Sequence, residues 1–222
     1  QNDQRNRAVA FKDVFAWNIS EVSGLDFGTD FSRISSWGTS VNEEGKIADD
    51  RFKNNETKYA GFVSYRLFSE KWKGSVGLRY EYVHAINTDQ GEVKNRNDYS
   101  DLLPSLSLST SLGKVDMSLD FSSRVNRPSF RQLNNSVSYN NQYHYEQGNI
   151  YLKPQYVYDA EFSLDYGIFD FKVDYQYIKD YIHPTVVAIA GKPGTVAWMS
   201  TNADRFQQLG AQCVVAPVIG CW

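Results

Sequence analysis

The twelve residues from Trp72 to Val83 read WKGSVGLRYEYV, and apolar and polar side chains alternate along most of them. Successive side chains of a β-strand point to opposite faces, so alternation predicts a strand with one apolar and one polar face. The apolar face carries Trp72, Val76, Leu78, Tyr80 and Tyr82, and the other carries Lys73, Ser75, Arg79 and Glu81. This segment therefore predicts a long strand that separates an apolar environment from an aqueous one.

Other parts of the chain repeat this period of two. Clear alternation occurs at 104–112, 115–122, 155–166 and 169–177, weaker alternation at 25–31, 59–67, 182–188 and 207–215, and an ambiguous pattern at 8–19. Ile178 and Lys179 interrupt the alternation, which predicts that the regular strand ends there. We expect an all-β protein with about nine strands in an antiparallel up-and-down meander.

The connections between these segments alternate in length. Short turns are expected at 68–71, 113–114 and 167–168, and long polar segments at 35–54, 84–98 and 126–154. Outer-membrane barrels have short periplasmic turns and longer external loops, which produces this alternation. The sequence thus favours a transmembrane β-barrel, with outer-membrane lipid as a partner.

Composition excludes some classes of protein and agrees with a barrel. The balance of 23 basic and 26 acidic residues disfavours nucleic acid as a partner, because phosphate binding requires a basic surface. Mean hydropathy is −0.50, which is compatible with membrane strands that need only every second residue to be apolar. A soluble β-sandwich also alternates, but its strands are usually shorter. The charged polar faces and the tyrosines near strand ends favour the barrel.

An ordered series of motifs resembles the barrels of TonB-dependent receptors, especially the outer-membrane β-barrel family common in Bacteroidetes. The resemblance is strongest over residues 59–222, and it departs from the family pattern at Asn135, Ile150 and Gln155. The motifs are Gly77-Leu78-Arg79-Tyr80-Glu81, Pro104, Arg124, Arg127-Pro128-Ser129-Phe130, Leu133-Asn134, Gly148-Asn149-Ile150-Tyr151-Leu152-Lys153-Pro154-Gln155, and Thr201-Asn202-Ala203-Asp204-Arg205-Phe206.

The resemblance implies a barrel of about 22 strands closed around a plug domain. Residues 1–222 would form fewer than half of those strands, without the plug. It also implies an outer-membrane receptor that takes up a bulky solute such as a glycan or siderophore, with plug and TonB as partners. We expect neither enzymatic activity nor a cofactor. Alternatives are a non-energised, structural or porin-like barrel and a soluble β-sandwich carbohydrate-binding module.

Two groups of residues are candidate binding sites. Charged side chains on neighbouring strands could form a ladder inside the pore that contacts the plug or a solute, or could only pair across strands; these are Arg79, Glu81, Arg124 and Arg127. Aromatic residues of an external loop could stack on a glycan or siderophore, or could only pack on one another; these are Tyr139, Tyr143 and Tyr145.

Other reactive residue types do not form a recognisable site in the sequence. The three histidines, His84, His144 and His183, lack metal-ligand spacing. The carboxylate pairs recur along the strands, which indicates a charged lumen wall rather than a catalytic pair; these are Asp159 with Glu161 and Asp170 with Asp174. Cys213 and Cys221 would lie roughly 26 Å apart on one straight strand, so a disulfide between them is not expected.

Overall fold

A computed structural model describes residues 2–40, 50–134, 137–141, 144–188 and 194–217, and most of them form β-strands. Eleven strands and one helical turn follow one another along the chain. They are β1 (Asn2–Ser20), β2 (Ser23–Ser40), β3 (Asp50–Phe68), β4 (Trp72–Asp89), β5 (Glu92–Leu112), β6 (Val115–Asn126), α1 (Phe130–Leu133), β7 (Val137–Asn141), β8 (His144–Gln147), β9 (Gln155–Tyr166), β10 (Phe169–Ala188) and β11 (Val196–Val215).

All the described strands belong to one sheet, with the order β1-β2-β3-β4-β5-β6-β9-β10-β11-β8-β7. Nine strands form a continuous antiparallel meander, and the β7–β8 hairpin joins it through parallel pairing of β8 with β11. The predicted antiparallel meander is confirmed. The soluble β-sandwich is wrong for this chain, because a sandwich needs two facing sheets and the described strands form one.

The exposure of side chains on the two faces of the sheet is the reverse of that in a soluble protein, because apolar side chains are exposed and charged ones are buried. Leu78 and Phe171, on the apolar face, are 42% and 39% exposed, whereas Glu81 and Asp101, on the charged face, are 7% and 6% exposed. Strands of a transmembrane barrel turn apolar side chains toward lipid and polar ones toward the lumen. We therefore call the apolar side the outer face and the charged side the lumenal face.

Aromatic side chains mark two levels on the outer face. Strand register places Phe31, Tyr59 and Tyr82 side by side, and the rings of Phe31 and Tyr59 lie 5.2 Å apart. We call these three residues the upper aromatic row. Toward the opposite end of the strands, Trp17 and Trp72 are also exposed. Aromatic residues at both interfaces are typical of membrane barrels.

The connections differ from the prediction at one end of the sheet, called here the loop side, where β2 joins β3, β4 joins β5 and β10 joins β11. Residues 84–98 are mostly strand rather than a long loop, because β4 and β5 continue to a two-residue turn at Gln90-Gly91. Gln90 and Gly91 both have positive φ, 50° and 83°, as a tight hairpin turn requires. Strands β2 and β3 likewise extend into the predicted loop 35–54. Polar composition misled the prediction because these strands continue past the upper aromatic row with mostly polar residues on both faces.

Strand β10 does not end at Ile178 and Lys179 but continues to Ala188. Ile178 lies opposite Val157, and both are almost fully buried on the lumenal face. An apolar residue is favoured there because this part of the lumenal face is covered. The break in alternation therefore marks a covered stretch of strand, followed by Asp180 with a positive φ of 54°.

Within the described parts of the chain, no helix is long and apolar enough to cross a membrane.

Candidate functional site

A series of ion pairs crosses the lumenal face of neighbouring strands. The Arg79 guanidinium on β4 donates from Nε to Glu81 Oε1 at 2.7 Å and from Nη2 to Asp30 Oδ2 at 2.9 Å. Lys58 Nζ on β3 lies 3.3 Å from the same oxygen of Asp30, which is on β2. Side chains of alternating charge thus link the three adjacent strands β2, β3 and β4.

Arg127 extends this series from the end of β6. Its Nη2 atom donates to Glu81 Oε2 at 2.9 Å and lies 3.6 Å from Asp101 Oδ2 on β5. The Tyr156 hydroxyl on β9 donates to Asp101 Oδ1 at 2.9 Å. We call the connected set the lumenal ladder; it consists of Lys58, Asp30, Arg79, Glu81, Arg127, Asp101 and Tyr156.

The structure brings three of the four predicted lumenal residues together and separates the fourth. Arg79, Glu81 and Arg127 belong to the ladder, whereas Arg124 pairs with Asp159 on β9. Asp159 also accepts a hydrogen bond from Gln176 Nε2 at 2.7 Å. Arg124 remains half exposed, so it is the most accessible of the four.

Several of the carboxylates that recur on the lumenal face have cationic or amide partners. In addition to the Asp159 contacts, Glu161 Oε1 lies 2.7 Å from Lys172 Nζ, and Asp26 Oδ2 lies 2.7 Å from Arg66 Nε. No group of three His, Cys, Asp or Glu residues in the described ranges could hold a metal ion. This arrangement is that of a charged wall held by cross-strand pairs.

The chain between β6 and β9 folds across the lumenal face. Its two arms, residues 127–134 and 148–154, are called the brace. In the first arm, Ser129 and Gln132 form a capping box: the Ser129 amide donates to Gln132 Oε1 at 2.9 Å, and the Gln132 amide donates to Ser129 Oγ at 3.3 Å. These bonds satisfy amide groups at the start of a helix and stabilise the single turn of α1.

The two arms are joined through the backbone. The Gly148 amide donates to Asn134 O at 3.0 Å, and the Asn149 amide donates to Gln132 O at 2.6 Å. A Cβ atom at Gly148 would lie 2.1 Å from Asn134 O, which is closer than real atoms approach. Only glycine at position 148 lets the two arms come this close.

Hydrogen bonds attach the brace to strands that are not neighbours. Asn95 Nδ2 on β5 donates to Ile150 O at 3.0 Å, and Asn149 Nδ2 donates to Ser200 O on β11 at 3.1 Å. Asn202 Oδ1, also on β11, accepts from the Lys153 amide at 2.9 Å. Three strands separate β5 from β11 in the sheet, so the brace bridges across them.

An apolar cluster holds the brace against the sheet. Leu133, Ile150 and Leu152 of the brace are buried together with Phe52 of β3. The rings of Phe52 and Phe130 lie 5.3 Å apart, and Ile182 of β10 packs against the same cluster. This cluster lies on the lumenal face.

Sequence reasoning assigned residues 126–154 to an external loop and missed the brace. The described parts of that segment instead fold onto the lumenal face, because the apolar residues Phe130, Leu133, Ile150 and Leu152 find a shared partner in Phe52. The signal available in the sequence was the Ser129-x-x-Gln132 spacing of a capping box. Most of the motifs that carried the family resemblance in this region form the brace.

The aromatic candidates are only partly covered by the structure. The backbones of Tyr139 and Tyr145 pair in the β7–β8 hairpin, and Tyr145 is partly buried. Tyr143 lies outside the described residues. Cys213 is exposed with a free thiol, and Cys221 also lies outside the described residues, so the absence of a disulfide stays a prediction.

A single antiparallel sheet with an apolar outer face, a charged lumenal face and aromatic rows is part of a membrane-spanning β-barrel. Residues 1–219 match the outer membrane protein beta-barrel family, and the chain belongs to that family. The predicted family and outer-membrane location are confirmed, whereas a Bacteroidetes origin stays a prediction. None of the curated proteins matches this chain in sequence.

Solved structures with the same fold are barrels of outer-membrane receptors and transporters. The copper transporter OprC superimposes with a TM-score of 0.65 at 12% identity, over 98% of this chain and 36% of OprC. The Serratia marcescens hemophore receptor HasR, in complex with HasA and heme, gives 0.63 at 12% identity, over 95% and 39%. The Neisseria meningitidis FrpB iron transporter gives 0.60 at 14% identity, over 96% and 34%. This chain therefore spans roughly a third of the length of these proteins.

Proposed function

We propose that this chain is a segment of the barrel of a TonB-dependent receptor that takes up a bulky solute across the outer membrane. The observation that supports this most strongly is the brace, which occupies lumenal space across β5, β6, β9, β10 and β11. A segment folded across the lumenal face narrows the lumen, as expected of a barrel that is not a wide open channel. In a receptor that admits one solute at a time, the brace would give the entrance of the lumen a fixed shape.

The lumenal charges are proposed to contact the plug domain of the complete receptor. In the ladder, Arg79 and Glu81 already satisfy much of one another's charge, so they present a fixed pattern rather than free ions. Arg124 is more exposed and has only Asp159 as its described partner. We infer that Arg124 offers the plug a charge-assisted hydrogen bond, while Arg79, Glu81 and Arg127 set the local shape of the wall.

The solute is proposed to meet the β7–β8 hairpin first. Tyr139 and Tyr145 belong to this hairpin, Tyr143 falls between its two strands in the sequence, and aromatic rings suit a glycan or an aromatic siderophore. The proteins with similar folds include transporters of copper and iron and a receptor for a heme-carrying protein. Their shared role supports uptake rather than catalysis, and the solute class of this chain is left to be determined by binding.

Conductance of the complete receptor in a planar lipid bilayer tests this proposal. A barrel closed by a plug should show no steady ion current in buffer, and deletion of the plug should produce a large, constant current. The porin-like alternative predicts a constant current from the intact protein. A steady open channel before plug deletion would therefore overturn the receptor proposal.

A further inference from the structure

A single carboxylate, that of Asp13, interrupts the apolar outer face of β1. The other outer-face residues along this part of β1 are apolar and at least half exposed; they are Val9, Phe11, Phe15, Trp17 and Ile19. The run from the first to the last of them spans roughly 33 Å along the strand, or roughly 23 Å along the membrane normal at a tilt of about 45°. The apolar band of an outer-membrane barrel is about 25 Å tall, so Asp13 lies within the depth of the hydrocarbon layer.

The surroundings of Asp13 are almost entirely hydrocarbon. Thr29 lies directly opposite on β2, and its hydroxyl donates a hydrogen bond to Asp13 Oδ1. Phe11 lies two residues toward the loop side, and the rings of Phe15 and Phe27 stack 5.5 Å apart two residues toward the other end. Among the described residues, Thr29 is the one polar partner of this carboxylate. A neutral hydroxyl leaves the negative charge uncompensated.

A carboxylate without a cation is costly at this depth, because lipid does not solvate the charge. On the lumenal face, several carboxylates have a cation on a neighbouring strand, as Glu161 has Lys172. On the outer face of β1–β5, no described residue between the two aromatic levels is basic. A compensating cation for Asp13 therefore has to come from outside these strands.

The position of β1 in the sheet indicates where that cation would lie. β1 is at one end of the strand order, so one of its edges is unpaired within the described strands. A barrel in lipid leaves no strand edge unpaired, so another strand pairs with this edge in the complete barrel. Side chains directly opposite each other on paired strands have Cβ atoms about 5 Å apart. A long basic side chain opposite Asp13 would reach its carboxylate.

We propose that the strand that closes the barrel against β1 carries a lysine or arginine on its outer face opposite Asp13, and that this ion pair specifies the register of the closure. A slip of two residues keeps both faces of a strand unchanged, so alternation alone does not prevent it. Such a slip would separate the two charges and leave each facing lipid. A polar contact in an apolar interface can fix register for this reason. This inference rests on the barrel and not on solute uptake.

Urea unfolding of the complete protein in lipid vesicles tests the ion pair. Asp13→Leu removes the carboxylate, and Asp13→Asn removes the charge but keeps an acceptor for Thr29. The matched control is Leu106→Asp, which adds a carboxylate to the outer face of β5, where the opposite residues Val76 and Phe121 are apolar. We expect each Asp13 variant to increase the unfolding equilibrium constant at least about tenfold, because a cation in lipid loses its counter-charge.

The control should also unfold more readily, because its added carboxylate has no cation. Wild-type or greater stability of Asp13→Leu would show that Asp13 has no cationic partner and would overturn the proposal. Wild-type stability of Asp13→Asn would show that the charge is unimportant, and wild-type stability of Leu106→Asp would remove the physical premise; both results would also overturn it.

A second measurement applies even where Asp13→Leu does not fold. Leucine replaces the lysine or arginine opposite Asp13 in the closing strand, alone and together with Asp13→Leu. We expect the double variant to fold and to be more stable than either single variant, because neither charge is then left alone in lipid. A double variant no more stable than the singles, or a closing strand without a basic residue on its outer face, would overturn the proposal.

Discussion

Arg127 is the residue on which the lumenal ladder depends most. Its guanidinium lies within reach of two carboxylates, Glu81 and Asp101, whose side chains are only 9% and 5% exposed. Carboxylates this poorly hydrated are costly unless a cation compensates them. Arg127 is also the first residue of the brace, so the same side chain ties the brace to β4 and β5.

Replacing Arg127 with Gln should destabilise the barrel. Arg127→Gln leaves Glu81 with Arg79 alone and Asp101 with the Tyr156 hydroxyl. We therefore expect the free energy of unfolding to fall by about 2 kcal/mol. This is less than the cost for a fully buried pair, because the lumen is partly hydrated. Urea unfolding of the complete receptor in lipid vesicles measures this. Lys94→Gln, which breaks the exposed pair with Glu92, serves as the control and should cause no measurable change. Equal effects of the two substitutions would show that burial of the ladder is unimportant.

The brace illustrates how an element with little regular structure can be rigid. It contains one helical turn, but it has hydrogen bonds to β5 and β11 and an apolar cluster beneath it. Each of these contacts joins residues that are far apart along the chain. Their combined effect is to fix the distance between strands that do not pair with one another.

Close backbone approach within the brace can be tested at Gly148. Gly148→Ala forces a methyl group against Asn134 O, so the two arms must separate, at a cost of about 2 kcal/mol. Limited proteolysis should then cut within residues 127–154 faster than in wild type. Gly61→Ala is the control, because its nearest non-neighbouring atom would be 3.9 Å away. Wild-type proteolysis rates in Gly148→Ala would contradict the proposed rigidity of the brace.

At the scale of the whole molecule, the sheet separates two environments with one layer of backbone. Apolar area does not form a compact core, and most large apolar side chains of the meander remain exposed on the outer face. Lipid must supply the environment that a second layer supplies in a soluble fold. The lumenal face is stabilised differently, by ion pairs and by the brace.

Placing an arginine on each face distinguishes the two environments. Leu78→Arg, on the outer face between Trp72 and Tyr82, should cost about 2–4 kcal/mol of unfolding free energy in lipid vesicles. Ser107→Arg, on the lumenal face of β5 and opposite Asp120, should be tolerated because water and a carboxylate are available. Equal costs at the two positions would contradict the assignment of faces.

The strand faces and the meander could be predicted from residue order, because alternation is local and repeats every two residues. Leu78 and Arg79 reveal opposite environments without any knowledge of their neighbours. Strand ends were predicted less well at 84–98 and at Ile178. In the first case, strands continue past the upper aromatic row with mostly polar residues; in the second, a covered part of the lumenal face accepts an apolar residue.

Contacts between residues that are far apart in the sequence could be identified only from the folded chain. Arg127 meets Glu81 across 46 positions, and Asn95 meets Ile150 across 55. A shift of one residue in register would turn every side chain of a strand to the opposite face, so such partners depend on the pairing of the whole sheet. Alternation alone therefore identified which side chains face lipid or water, whereas register and the course of the brace determined which of them touch.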